Sequence, residues 1–146
     1  MFIFRITNKM RKNFIVDQGV YLMWDNNYFD LHNNYQFHEC NIKPATRIVI
    51  LNWLRLEGKW INPEDPNEII IVFHNVSFFS ISKDLLTERI KTIQEIGYKD
   101  PDDGDLDWLN GDGNFKATYH IIFRFEKDEF IRIHAEFAEV KEGKMS

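Results

Sequence analysis

Polar and apolar residues alternate most cleanly late in the chain, where Tyr119, Ile121, Phe123 and Phe125 are interleaved with His120, Ile122, Arg124 and Glu126. A period of two puts one set on each face of a β-strand. A second run follows Lys127-Asp128-Glu129, with Ile131, Ile133, Ala135 and Phe137 on one side and Arg132, His134 and Glu136 on the other. The two runs read as a hairpin. Both apolar sets share a face only if paired residue numbers sum to an even value, as for Phe125 with Glu129 or with Ile131. A two-residue turn at Lys127-Asp128 gives an odd sum. The pattern therefore predicts a three- or five-residue loop with Asp128 or a neighbour at positive φ.

Residues 48–54 and 69–73 are apolar on both faces, as in central strands covered on both sides. The second run continues through His74-Asn75 to residue 81, and a bend or bulge at Asn75 is expected to let the strand change sheets. Residues 62–67, with two prolines among Asn and Asp, form a turn. Nearer the start, residues 2–7, 14–16, 19–24, 28–32 and 35–40 are short strand candidates. Asp25-Asn26-Asn27 and Asn33-Asn34 between them read as hairpin turns, because asparagine tolerates left-handed backbone angles.

One segment has helical spacing. Leu86, Ile90, Ile93 and Ile96 fall three or four apart, Ser82 or Asp84 can cap the start and Gly97 can end it, which predicts a helix of about twelve residues. The competing reading is an edge strand over 89–98, since Ile90, Thr92 and Ile93 are β-branched. Together these elements predict an α+β fold, mainly antiparallel β as a sandwich or strongly curved sheet, with one helix near residues 83–96.

At 146 residues the chain fits a single globular domain over 1–146 that buries roughly 70% of its unfolded surface. Thirteen Phe, four Trp and five Tyr point to a core of large flat side chains. Cys40 is the only cysteine, which excludes an intramolecular disulfide and suits a reducing compartment. The opening apolar run is too short for a signal peptide, and no stretch reaches the ~18 apolar residues of a membrane span, so a soluble cytoplasmic protein is expected.

Charge is unevenly distributed. Six aspartates (Asp100, Asp102, Asp103, Asp105, Asp107 and Asp112) fall within thirteen residues that hold no Lys or Arg, while the whole chain is only -5. The remaining 133 residues therefore sum to +1. An EF-hand loop does not fit: a glycine at its sixth position puts Lys99, Leu106 or Trp108 at the first, where a carboxylate belongs. No metal or cofactor is expected. Solvated loops rarely spend a tryptophan, and this one contains Leu106, Trp108 and Leu109. Either these side chains pin the loop to the core or Trp108 is an exposed anchor ringed by carboxylates.

The functional expectation is a non-enzymatic protein-interaction module. Asp102, Asp103, Asp105, Asp107 and Trp108 would bind a basic protein partner, as an inhibitor or immunity-type protein does. The alternative is a small-molecule-binding protein or enzyme with a pocket at the C-terminal hairpin lined by His120, Arg132, His134 and Glu136. The bland reading of that row is the solvated side of a half-buried sheet. His32, His38 and Cys40 lack the paired spacing of a zinc site, and nothing marks a base beside Cys40. A pI near 5.5 disfavours nucleic acid, and the basic cluster Arg5, Lys9, Arg11 and Lys12 reads as a counterweight to the acidic loop.

Overall fold

The computed structural model describes residues 10–87 and 92–143. The strand expected over 2–7 lies outside them. Ten strands are described: β1 (Arg11–Lys12), β2 (Ile15–Asp17), β3 (Tyr21–Trp24), β4 (Asn27–Asp30), β5 (Tyr35–Lys43), β6 (Ile48–Arg55), β7 (Glu68–Ile81), β8 (Ile93–Lys99), β9 (His120–Phe125) and β10 (Phe130–Glu142), with a short helix α1 (Lys83–Thr87). A seven-stranded sheet runs β5-β6-β7-β10-β9-β8, with β1 parallel to β10, and curves into a half-barrel. A separate three-stranded sheet, β2-β3-β4, contributes Val16, Leu22 and Phe29 to the same buried cluster. The fold is mainly antiparallel β.

Aromatic rings fill the interior. Phe37 lies 5.3 Å from Trp53 and 5.1 Å from Phe125, and Phe123 touches both Trp53 and Phe73 at 5.6 and 6.2 Å between centroids. All but the tilted Trp53–Phe123 pair meet edge to face, and such pairs add about 0.5–1.5 kcal/mol each beyond the area they bury. Phe73, Phe123 and Trp53 come from three different strands and are all 0% exposed, so they fix how the half-barrel closes.

The C-terminal hairpin has the parity its sequence demands. Arg124 pairs with Phe130 and Ile121 with Ile133, and the Phe125 amide donates to the Glu129 carbonyl at 2.7 Å, leaving the three-residue loop 126–128. Lys127 and Asp128 both sit at φ 61. Alternation then slips along β10: after Ala135 the buried residues are Ala138 and Val140, while Phe137 stacks on His74.

Three expectations need correction. The helix covers only Lys83–Thr87, and Ile93–Lys99 is a strand paired with β9; residues 88–91 lie outside the described set. A bulge between Ile93 and Glu95 turns Ile93 and Ile96, three apart, toward the same interior, which imitates helical spacing. Asn75 does adopt a left-handed φ of 54° and a register shift follows, yet β7 stays in one sheet, paired with β10 on both sides of the irregularity. Asn33-Asn34 is a turn but not a hairpin, because among the described residues β4 pairs only with β3 and β5 only with β6. Asp30 accepts the His32 and Asn33 amides there, each at 2.9 Å, and steers the chain from one sheet to the other. Asp25 and Asn26, at φ 53 and 64, form the true two-residue hairpin between β3 and β4.

Left-handed backbone strains a residue with a Cβ, less so for Asp. Asp128→Gly is expected to raise stability by about 0.5–1 kcal/mol in urea unfolding, with the hairpin register unchanged.

Candidate functional site

The outer face of β8, β9 and β10 carries Lys99 and Glu95, His120, Ile122 and Arg124, and Arg132 and His134 at neighbouring register positions. Solvent covers little of it. His120, Arg132 and His134 are 6%, 3% and 6% exposed, and Ile122, on the same face, is 0% exposed. The roof is the acidic loop, residues 100–112. Its later part returns to the edge of β8, where Tyr98 and Asn110 exchange two backbone hydrogen bonds of 2.8 Å. Gly97 makes that return possible: a Cβ there would lie 2.7 Å from the Leu109 Cβ.

Arg132 holds the loop. Its Nε donates to His120 Nδ1 at 2.8 Å, one terminal nitrogen donates to the Asp103 carbonyl and the Asp105 carboxylate at 2.9 Å each, and the other donates to the carbonyls of Asp100 at 2.8 Å and Pro101 at 3.4 Å. All five donors of the guanidinium are used. Arg124 adds bonds to the carbonyls of Asp105 and Asp107, and an ion pair with Glu95 at 3.4 Å.

Beyond the arginines, Lys99 pairs with Asp103 at 3.2 Å and Lys12 with Asp112 at 2.6 Å. The Lys12 ammonium also lies over the rings of Phe14, Tyr98 and Phe115, 4.9–5.3 Å from their centroids. Four cations thus contact a segment of six carboxylates. The Asp100 and Asp107 carboxylates accept amides of the loop itself, from Asp102 at 3.0 Å and Gly104 at 2.8 Å. Among the described residues Asp102 alone of the six has no such partner, and with Asp107 it is exposed. Half of the carboxylates, Asp103, Asp105 and Asp112, are therefore ion-paired inside the protein.

The loop's apolar residues divide. Leu109 packs on Gly97, whereas Leu106 and Trp108 are 57% and 78% exposed. Leu109 lies against the sheet and Trp108 projects from the loop. The hairpin row divides too. His120, Arg132 and His134 come together, with His120 and His134 ring centroids 5.8 Å apart. Glu136 stands apart, pairing with Arg11 at 3.6 Å and accepting from Asn75 at 2.6 Å. His32 bonds to the Ile93 carbonyl and Cys40 is half-buried, its thiol pushed up to about 12 by burial and then by Glu39. No three His, Cys, Asp or Glu side chains converge as metal ligands among the described residues.

Sequence reasoning missed Arg124 and Lys99 as supports of the loop. One signal was available: Ile122 is apolar on an otherwise polar strand face, as expected where that face is covered. No protein-family model matches the chain, and comparison with curated proteins and with solved structures gave no match to either.

Burial, then the charges of Arg132 and His134, lower His120 from 6.5 to about 4. Between those values the unfolded chain binds a proton that the folded protein refuses, so stability is full above pH 6.5 and falls as pH drops toward 4. His120→Asn, which keeps an acceptor for Arg132, is expected to flatten this part of a stability-against-pH curve. Arg132→Lys retains the charge but loses the fork. It is expected to cost about 2–3 kcal/mol and to speed hydrogen exchange at the Asp103, Asp107 and Asn110 amides, while the amides of β6 stay protected.

Proposed function

We propose that this protein is an interaction module in which the loop of residues 100–112 presents Trp108 and Leu106 to a basic protein partner. The observation that carries the reading is the exposure of Trp108, 78%, on backbone that Arg124 and Arg132 hold in place. An indole left in water is a standing hydrophobic cost, and an aromatic anchor rimmed by polar groups is what binding hot spots are made of. Fixing the backbone beforehand lowers the ordering entropy of association.

The recognition charges narrow to Asp102 and Asp107. Asp103, Asp105 and Asp112 serve the fold, so their role in binding is to hold the loop's shape. Exposed carboxylates beside an apolar anchor favour Lys- and Arg-rich surfaces and steer encounter at low salt. An inhibitor or immunity-type protein that caps a cationic enzyme uses the same chemistry, and we place this chain in that functional class. The hairpin pocket fits less well, because Arg132 is spent on the loop and on His120, whose ring is stacked against Phe78.

The test is copurification from the native host with wild-type protein, Trp108→Ala and the double variant Asp102→Asn/Asp107→Asn. A basic protein retained by wild type is expected to fall at least tenfold in recovery with Trp108→Ala, a loss typical of a hot-spot residue. The double variant is expected to weaken retention mainly at low salt. Equal recovery of the same protein by all three would overturn the proposal.

A further inference from the structure

We infer that the edge of β5 over residues 39–43, free among the described residues, pairs antiparallel with the same edge of a second copy of this chain, about a twofold axis through Asn41. An unpaired strand edge offers a row of amides and carbonyls to any extended chain, and folded proteins shorten, cover or use it. The opposite end of the sheet is covered. Ile96 of β8 donates to the Gly19 carbonyl at 2.6 Å and Tyr98 is bridged to Asn110. The stretch of β10 beyond β9 is closed by β1 and by Asn13, whose side chain exchanges bonds of 3.0 and 2.7 Å with the Val140 backbone. The edges of the small sheet are only three and four residues long. Terminal strand β5 is nine residues long, and from residue 38 onward every residue but half-buried Cys40 is exposed.

Two features bound the open segment. A bulge between Phe37 and Glu39 interrupts one end, and Pro44, which has no N–H, ends the other. The Glu39 amide points at β6, where it donates to Asn52 Oδ1 at 3.0 Å. Backbone polarity alternates along a strand, so the N–H groups of Cys40 and Ile42 face outward.

Register selects the partner. In a twofold antiparallel pair, outward residues must face outward residues, so permitted registers differ by steps of two. The one centred on Asn41 overlaps all five residues. It sets Glu39 opposite Lys43 of the second copy, twice by symmetry, and Cys40 opposite Ile42, twice. Moving one step either way loses both Glu–Lys pairs and leaves an end unmatched. The apolar pair also covers Ile42, which is 45% exposed in the single chain. A segment this short lies at the small end of stable interfaces, so association at roughly 0.1 mM is expected rather than a permanent dimer.

Sedimentation velocity of the full chain across a concentration series tests this. Glu39→Lys and Lys43→Glu each replace two attractions with two repulsions, and each is expected to weaken self-association about tenfold. Glu39→Lys/Lys43→Glu together restore opposite charges at both pairs and are expected to recover it. Monomer at every concentration up to about 1 mM would overturn the inference, as would a double variant no better than the singles. Trp108→Ala, at the far end of the sheet, must leave self-association unchanged, which separates this outcome from that of the partner-binding reading.

Discussion

A guanidinium buried between a sheet face and a loop organises the acidic end of this molecule. Arg132 is 3% exposed, and such a charge is tolerable only when its hydrogen-bonding capacity is met. Four of its five donors end on residues 100–105 and the fifth on His120. Fixing those backbone atoms shapes the loop, and the shape leaves Trp108 in water. Asp103, Asp105 and Asp112 pair with Lys99, Arg132 and Lys12, whereas Asp102 and Asp107 remain exposed. What looks in composition like one acidic patch is a partly neutralised cap with a small charged rim.

The same economy governs the edges of the large sheet. β8 is flanked by Gly19, Asn110 and the loop, and β10 is completed by β1 and Asn13. Both depend on chain that arrives from elsewhere in the sequence. Among the described residues β5 receives no such cover, and its exposed end carries residues that would complement themselves under twofold symmetry. The acidic loop and the exposed end of β5 therefore lie at opposite ends of the strand order of one sheet.

Between these ends the aromatic core sets the curvature. Trp53, Phe73 and Phe123 meet from separate strands at 0% exposure, and rings of that size are hard to pack against a flat sheet. Bulges near His38, Ser77 and Gln94 bend individual strands so that apolar residues on both sides of each break still reach the centre.

Local chemistry was sufficient for much of this. Alternation located the terminal hairpin, and parity determined its three-residue loop, because side chains on a strand can face only two ways. Asp25-Asn26 declared a turn through the backbone angles those residues tolerate. Ile93 and Ile96 misled, since a bulge opposite β9 gives three-residue spacing a common face, and only the pairing strand reveals the bulge. Asn33-Asn34 named a turn without saying which sheet the chain would enter next. The candidate site was legible in parts: the aspartates, Trp108 and the row from His120 to His134 were all visible, but as two unrelated features. Their union is long-range, joining residues about twenty to thirty apart through a guanidinium whose partners are mostly backbone carbonyls. Carbonyls carry no signature in an amino-acid sequence. The sequence by itself determined the strands, their faces and where charge is concentrated; tertiary structure alone decided which charges are consumed within the protein and which side chains stay in water.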